Sequence, residues 1–235
     1  MHNLYSKVQL YYLMLKRTLL FSGFLTLLSG FGHASVVVNN SSFETPDVAG
    51  AYQYNPIGGD WTFNGNSGIW SIAGFSETGG DGIQAGFVQQ CNSGGCGGIS
   101  PTPSGVSNFF QTLNGFTPGD TYSIGFWLAI RPGTFVEPVS VFIDAISLGD
   151  YAPVSAAFTQ FTTSSFTATS SSMTLTFAGL VDLSGPVIPG GAEGDTAIDQ
   201  VTVNATGSGV PEPNPAFLIL LPLALLIPAR RLLRT

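Results

Sequence analysis

The decapeptide Thr121-Tyr122-Ser123-Ile124-Gly125-Phe126-Trp127-Leu128-Ala129-Ile130 decides how the rest of the chain is read. Tyr122, Ile124, Phe126 and Leu128 recur at period two, the spacing that places alternate side chains of a strand on one face. Asn114-Gly115 and Pro118-Gly119-Asp120 stand just before it as turn signals. The stretch is therefore a strand with a core face. Trp127 lies on the opposite face, either in a sandwich core or on a concave surface.

The neighbouring segments repeat the pattern on both sides. Val36 to Asn39, Trp61 to Phe63, Gly68 to Ile72, Gln84 to Gln89 and Val106 to Leu113 precede it as short β-branched or aromatic runs. Val139 to Ile146, Phe158 to Thr167, Met173 to Phe177 and Thr196 to Val203 follow. In Val139 to Ile146, Val139, Val141, Ile143 and Ala145 share one face. No stretch between Ser35 and Gly209 keeps apolar residues at helical spacing over three turns, so no crossover helices are available for a parallel sheet. Roughly nine strands at this spacing predict an all-β fold, a jelly-roll β-sandwich. The expected organisation is a signal peptide over 1–34, the sandwich over 35–204, a short flexible linker over 205–209 and a sorting segment over 210–235.

Charge separates the domain from its ends. The chain has seven basic and fourteen acidic residues, but between Ser35 and Gly209 there are thirteen acids and only Arg131 as a base, a formal charge of −12. Nucleic-acid binding rests on cationic contacts to phosphates and is excluded for such a surface. Both histidines, His2 and His33, and both lysines, Lys7 and Lys16, precede Ser35. Without them no Ser-His-Asp triad, Cys-His pair, Schiff base or histidine-ligated metal can be built in the domain. The chemistry left open is a carboxylate pair acting on a glycosidic bond, with Asp60, Glu77, Asp81, Asp144 and Asp195 available. All but Asp144 sit in Gly-rich turns, where exposed acids are ordinary. The domain is accordingly expected not to be an enzyme.

Both ends read as targeting segments. Lys16-Arg17 precede the apolar run Thr18 to Gly30, and Gly32-His33-Ala34 supplies small residues for cleavage after Ala34, the pattern of a signal helix removed by signal peptidase after Sec export. At the other end Val210-Pro211-Glu212-Pro213 forms a stiff break. Ala216 to Ala229 is uncharged, and Arg230, Arg231 and Arg234 form a stop-transfer cluster on the cytoplasmic side. Fourteen residues span roughly 21 Å as a helix, against roughly 30 Å of hydrocarbon, and Leu232, Leu233 and snorkelling arginines can make up part of the deficit of this transmembrane helix. In this order the features resemble the PEP-CTERM sorting signal of exopolysaccharide-making Gram-negative bacteria. The resemblance implies an exosortase as partner, a transient inner-membrane anchor, and delivery to the cell surface or extracellular matrix. An ordinary single-pass anchor is the alternative.

A second resemblance runs through the domain. Asn39-Asn40-Ser41-Ser42-Phe43-Glu44, then Phe110-Gln111-Thr112-Leu113, Phe126-Trp127 and Ile198-Asp199-Gln200-Val201 are similar to the galactose-binding-like jelly roll of bacterial carbohydrate-binding modules. It implies a structural calcium ion at Glu44 and Asp199, completed by backbone carbonyls, hard oxygen ligands that suit calcium. Many relatives carry a second Asp where this chain has Gln200. The other reading is that Glu44 and Asp199 only cap strand ends. It also implies a sugar site, which needs an aromatic platform and a few polar groups. Tyr52, Tyr54, Trp61 and Trp70 are the candidates, each alternatively a core residue. Arg131 could meet an acidic sugar or pair with a carboxylate. Cys91 and Cys96, in an exported protein, read as one disulfide worth about 2 kcal/mol in the loop-entropy model, since two thiolates without histidine leave zinc half coordinated. The function expected is non-catalytic association with exopolysaccharide. A self-assembling matrix or biofilm protein and a two-carboxylate glycosidase are the alternatives.

Overall fold

The computed structural model describes residues 35–91, 107–180 and 193–207. The expected signal peptide, Cys96 of the expected disulfide, and the whole sorting segment with its Val210 to Pro213 motif and terminal arginines lie outside these residues. Among the described residues no helix is long and apolar enough to cross a membrane.

The domain is an all-β jelly-roll sandwich of two antiparallel sheets. Its strands are β1 (Tyr52–Tyr54), β2 (Thr62–Asn64), β3 (Ser67–Ser71), β4 (Gln84–Cys91), β5 (Asn108–Asn114) and β6 (Thr121–Ile130), followed by β7 (Val139–Ile143), β8 (Ile146–Tyr151), β9 (Thr159–Thr162), β10 (Phe166–Thr167), β11 (Ser172–Gly179) and β12 (Glu193–Gly207). The first sheet runs β1-β3-β4-β12-β6, with β9 and β10 sharing the far edge of β6; the second runs β2-β5-β11-β7-β8. The opening decapeptide is β6 with the bounds its pattern predicts, and Tyr122, Ile124, Phe126 and Leu128 all point into the main core.

That core fills the space between the sheets. Phe109, Leu113, Phe177, Leu175, Ile143 and Val141 come from the second sheet and face Ile69, Val88, Phe126 and Ile198 of the first. Leucine, valine and phenylalanine side chains removed from water contribute about 1.5–3 kcal/mol each, and this is the term that holds the two layers together.

Several expectations are corrected. Val36 to Asn39 forms no strand; Asn39 instead bonds Gln111 through its backbone, its N–H donating to Oε1 at 2.9 Å and its carbonyl accepting from Nε2 at 2.9 Å. Val139 to Ile146 is a hairpin, β7 and β8, because Asp144 adopts φ 50° and turns the chain. Ala145 therefore sits exposed in the turn rather than on the core face. Ala205 and Gly207, expected in a flexible linker, continue β12 by pairing with Tyr122 and Thr121.

Candidate functional site

Alternation along the first sheet creates two faces, and the outer one is unusual. Ile69 and Val88 face the main core, so Trp70 and Phe87 face away from it, together with Ala85, Ala129 and Ala197. These outward residues are almost completely buried, as a second apolar cluster. Registers explain its shape. Tyr54 stands opposite Gly68, Gly68 opposite Phe87, Phe87 opposite Ala197 and Ala197 opposite Ala129. Small residues form the floor and aromatics the walls. Residues 72–83 then cross over it as a strap, carrying one 3-10 turn at Ala73–Phe75.

At the β1 edge the cluster opens to solvent. Tyr52 is exposed, while Tyr54 and Phe75 are half-buried. Their rings meet edge to face, Tyr52 at 5.6 Å from Tyr54 and 5.9 Å from Phe75. Behind them Trp70 stacks on Phe87 at 4.4 Å and on Phe75 at 4.8 Å. Polar groups fix the edge: the Tyr54 hydroxyl donates to Gln89 Oε1, and the Trp70 indole donates to Glu77 Oε2 at 3.0 Å. Arg131 lies over the Phe75 ring at 4.7 Å, and its guanidinium donates to Asp195 at 3.1 Å. A cation over a ring face and a carboxylate at its fork hold both partners in place.

The four aromatic candidates separate into two places. Tyr52, Tyr54 and Trp70 come together at this edge, with Trp70 beneath the surface. Trp61 does not belong to it: the ring is buried in the main core, stacked on Phe43 at 5.1 Å and edge-on to Phe109 at 5.3 Å. Trp127 joins the outer cluster, half-buried. Arg131 is committed to Asp195 and Phe75. Phe75 and Gln89 were not foreseen; a lone phenylalanine between Gly74 and Ser76 in a polar loop was the one available signal for the former.

Glu44 and Asp199 approach the same corner. Glu44 Oε1 accepts from the backbone N–H groups of Ile83 and Gln84 at 2.8 and 2.9 Å, and the two oxygens of Asp199 accept from Asp81 and Gln200, each at 2.7 Å. Burial pushes Asp199 up to about 7, countered by those two amides and reinforced by the nearby charges of Asp81 and Glu44. Of the three acids at this corner, Asp199 is buried, Glu44 half-buried and Asp81 exposed. Among the described residues no three His, Cys, Asp or Glu side chains group at metal-binding spacing, so carbonyl oxygens would complete any shell.

Two acids expected in exposed turns are buried. Glu77, only 4% exposed, is pushed up to about 8 by burial, an effect that its Trp70 bond and Arg131 oppose and that Asp195 and Asp199 add to. Asp195 is fully buried beside Arg131. Both carboxyl groups are closed off from solvent. Asp60, Asp81 and Asp144 are exposed and dispersed.

Gly68 ties β1 to the sheet. A Cβ there would lie 2.0 Å from the Gln53 carbonyl oxygen and 3.0 Å from the Phe87 ring. Gly68→Ala is therefore expected to release β1 and loosen Tyr52 and Tyr54 while β5, β6 and β11 stay folded. Backbone hydrogen exchange checks this; undisturbed protection of Gln53 and Asn55 would contradict it.

No protein-family model matches the chain, and no curated protein matches it in sequence. Solved structures with a similar course of chain include the CBM22-1 xylan-binding domain of Paenibacillus barcinonensis Xyn10C, with 11% identity, 76% of this chain and 99% of that one covered, and a TM-score of 0.45. TmCBM61, solved with β-1,4-galactotriose, gives 13% identity, 72% and 99% coverage, and a TM-score of 0.43. For the sugar-binding EclA C-terminal domain the values are 20%, 40% and 64%, with a TM-score of 0.34, so the chain covers less than two thirds of that domain's length.

Proposed function

We propose that the chain is an exported, non-catalytic glycan-binding protein whose contact surface is the edge formed by Tyr52, Tyr54 and Phe75. The observation that carries this reading is the grouping itself: an exposed and two half-buried rings, edge to face, backed by a stacked indole and flanked by hydroxyl, amide and guanidinium groups. A pyranose has an apolar face for such rings and a rim of hydroxyls for the polar groups. The ligand is a neutral glycan. A domain of charge −12 repels a polyanion, and its one arginine already faces a carboxylate.

In this reading the Val210 to Pro213 motif, the apolar run and the terminal arginines make the chain an exosortase substrate that delivers the domain to exopolysaccharide outside the cell. Deleting the host exosortase is expected to leave a longer, membrane-held form; an unchanged mass would remove this part. A calcium ion at Glu44 and Asp199 stabilises the domain.

The test is a glycan array with the purified protein and its Tyr52→Ala variant, in calcium and again in chelator, with melting curves alongside. Retention of a neutral glycan by the wild type, weakened about ten-fold or more in Tyr52→Ala at unchanged melting temperature, is expected; a loss of about 1.4 kcal/mol corresponds to that factor. Chelator is expected to lower the melting temperature, and Glu44→Gln to remove that sensitivity. A blank array overturns the glycan reading and favours a self-assembling matrix protein, and a melting temperature indifferent to chelator leaves Glu44 and Asp199 as acceptors for backbone amides.

A further inference from the structure

The outward face of a sandwich sheet ordinarily meets water, yet Trp70, Phe87, Ala85, Ala129 and Ala197 are sealed, and residues 72–83 pack against them together with Phe158. The ends of this segment are tied, Ile72 N–H donating to the Ile83 carbonyl at 3.0 Å, so it is a closed loop standing on the sheet edge. Its contacts are spread along its length, and include Arg131 over the Phe75 ring, Ser42 Oγ donating to Asp81 and Ile83 N–H donating to Glu44. Phe75 stacks on Trp70, Glu77 accepts from the Trp70 indole, Thr78 exchanges hydrogen bonds of 3.1 and 2.8 Å with Ala156 and Phe158, and Asp81 N–H donates to Asp199. Ser76 at φ 62°, Gly79 at φ +83° and Gly82 at φ +76° give it turning points, and a side chain at Gly79 would meet nothing within 4 Å.

One of these contacts is incomplete. Glu77 is buried and bonds Trp70 through Oε2, while Oε1 has no hydrogen-bond partner among the described residues. A buried acceptor left unpaired costs about 1–3 kcal/mol, which the closed position bears and an opened one, hydrated, does not.

We propose that residues 72–83 are a lid latched by Glu77, which lifts from the first sheet to uncover the Trp70 indole and the small-residue floor beside it. Phe75 covers the Trp70 ring in the closed position and leaves with the lid, so opening exchanges Phe75 for Trp70 on the aromatic edge. That consequence rests on the glycan reading; the opening itself does not. The groups facing Glu77 are Trp70 from β3, Asp195 and Asp199 from β12 and Arg131 from the end of β6. Once Glu77 ionises, two of its three charged neighbours repel it, so the latch weakens as pH rises through the titration of Glu77 at about 8.

The two buried indoles give an internal comparison. The Trp61 indole donates to the Asn40 carbonyl at 3.0 Å inside the main core, and the Trp70 indole donates to Glu77 under the lid. Their hydrogen exchange, followed by NMR on the full chain without ligand, separates local from global opening. Trp70 is expected to exchange at least about ten-fold faster than Trp61, with a ratio that widens between about pH 6 and 9. Glu77→Gln keeps an acceptor for the indole but cannot ionise, and is expected to hold the ratio constant with pH. Equal rates for the two indoles at every pH overturn the lid. A ratio that ignores pH in the wild type, or follows it equally in Glu77→Gln, overturns Glu77 as its latch. A blank glycan array alters neither outcome.

Discussion

Between pH 5 and pH 8 the domain is expected to lose stability as pH rises. Glu137 and Glu77 cause this. Glu137, 2% exposed, is pushed up to about 9 by burial and by the adjacent Asp195, and Glu77 is pushed up to about 8. In the unfolded chain both titrate near 4.5. Between those values the folded protein keeps protons that the unfolded chain has released, so raising the pH draws the equilibrium toward unfolding. Their contribution is fully present below about pH 4.5 and lost progressively up to their folded values. The slope is at most about 1.4 kcal/mol per pH unit for each group. Glu137→Gln is the decisive variant. Its carboxyl packs over Gly179 and Gly194, with Oε1 unpaired among the described residues, so a neutral amide of the same shape keeps the packing and removes the proton linkage. Melting curves from pH 5 to 9 are expected to show a falling midpoint in the wild type, and a shallower fall with a higher midpoint at pH 8 in Glu137→Gln. A wild-type midpoint that is flat or rising over pH 5–8 would refute the argument.

Burial of these acids also marks where sequence reading reaches its limit. The long strands were legible because period two and flanking turn signals are local: β6 follows directly from its own ten residues. Strand β1 was not, since Tyr52-Gln53-Tyr54 offers only three residues between Gly50 and Pro56, and its existence depends on Gly68 letting two backbones approach. The β7–β8 turn was missed because Asp144 supplies the positive φ usually assigned to glycine, its carboxylate accepting from the Thr174 N–H at 2.8 Å. Glu77 and Asp195 were read as exposed acids of Gly-rich turns. What buries them is long-range, an indole from β3 and a guanidinium from the end of β6. The aromatic edge was legible in part for the same reason: Tyr52, Tyr54 and Trp70 are near in sequence, whereas Phe75 and Gln89 reach it through the strap and β4. The motifs that resemble the galactose-binding-like jelly roll pointed to the sandwich, but motif spacing does not say toward which side of it a tryptophan points.

Trp61 and Tyr52, nine positions apart and equal as sequence candidates, are expected to part sharply on mutation. Trp61 sits just before β2, and its ring lies within 5.1–6.2 Å of Phe43, Phe109 and Phe177, at the centre of the main core. Removing it leaves a cavity lined by rigid rings that cannot collapse into the space, a cost of about 3–5 kcal/mol against a total of about 5–15. The lost hydrogen bond adds little, because the Asn40 carbonyl still accepts from the Phe43 N–H at 3.1 Å. For a domain of this size each kcal/mol lowers the midpoint by about 2–4 °C, so Trp61→Ala is expected to melt roughly 6–20 °C below wild type. Any glycan affinity is expected to persist in the fraction that remains folded, since no face of the ring reaches solvent. Tyr52→Ala reverses this pattern, because Tyr52 is more than half exposed and its removal leaves the main core intact. Melting and retention measured on both variants decide between the two placements: Trp61→Ala with an unchanged midpoint and lost retention would move Trp61 from the core to the binding surface.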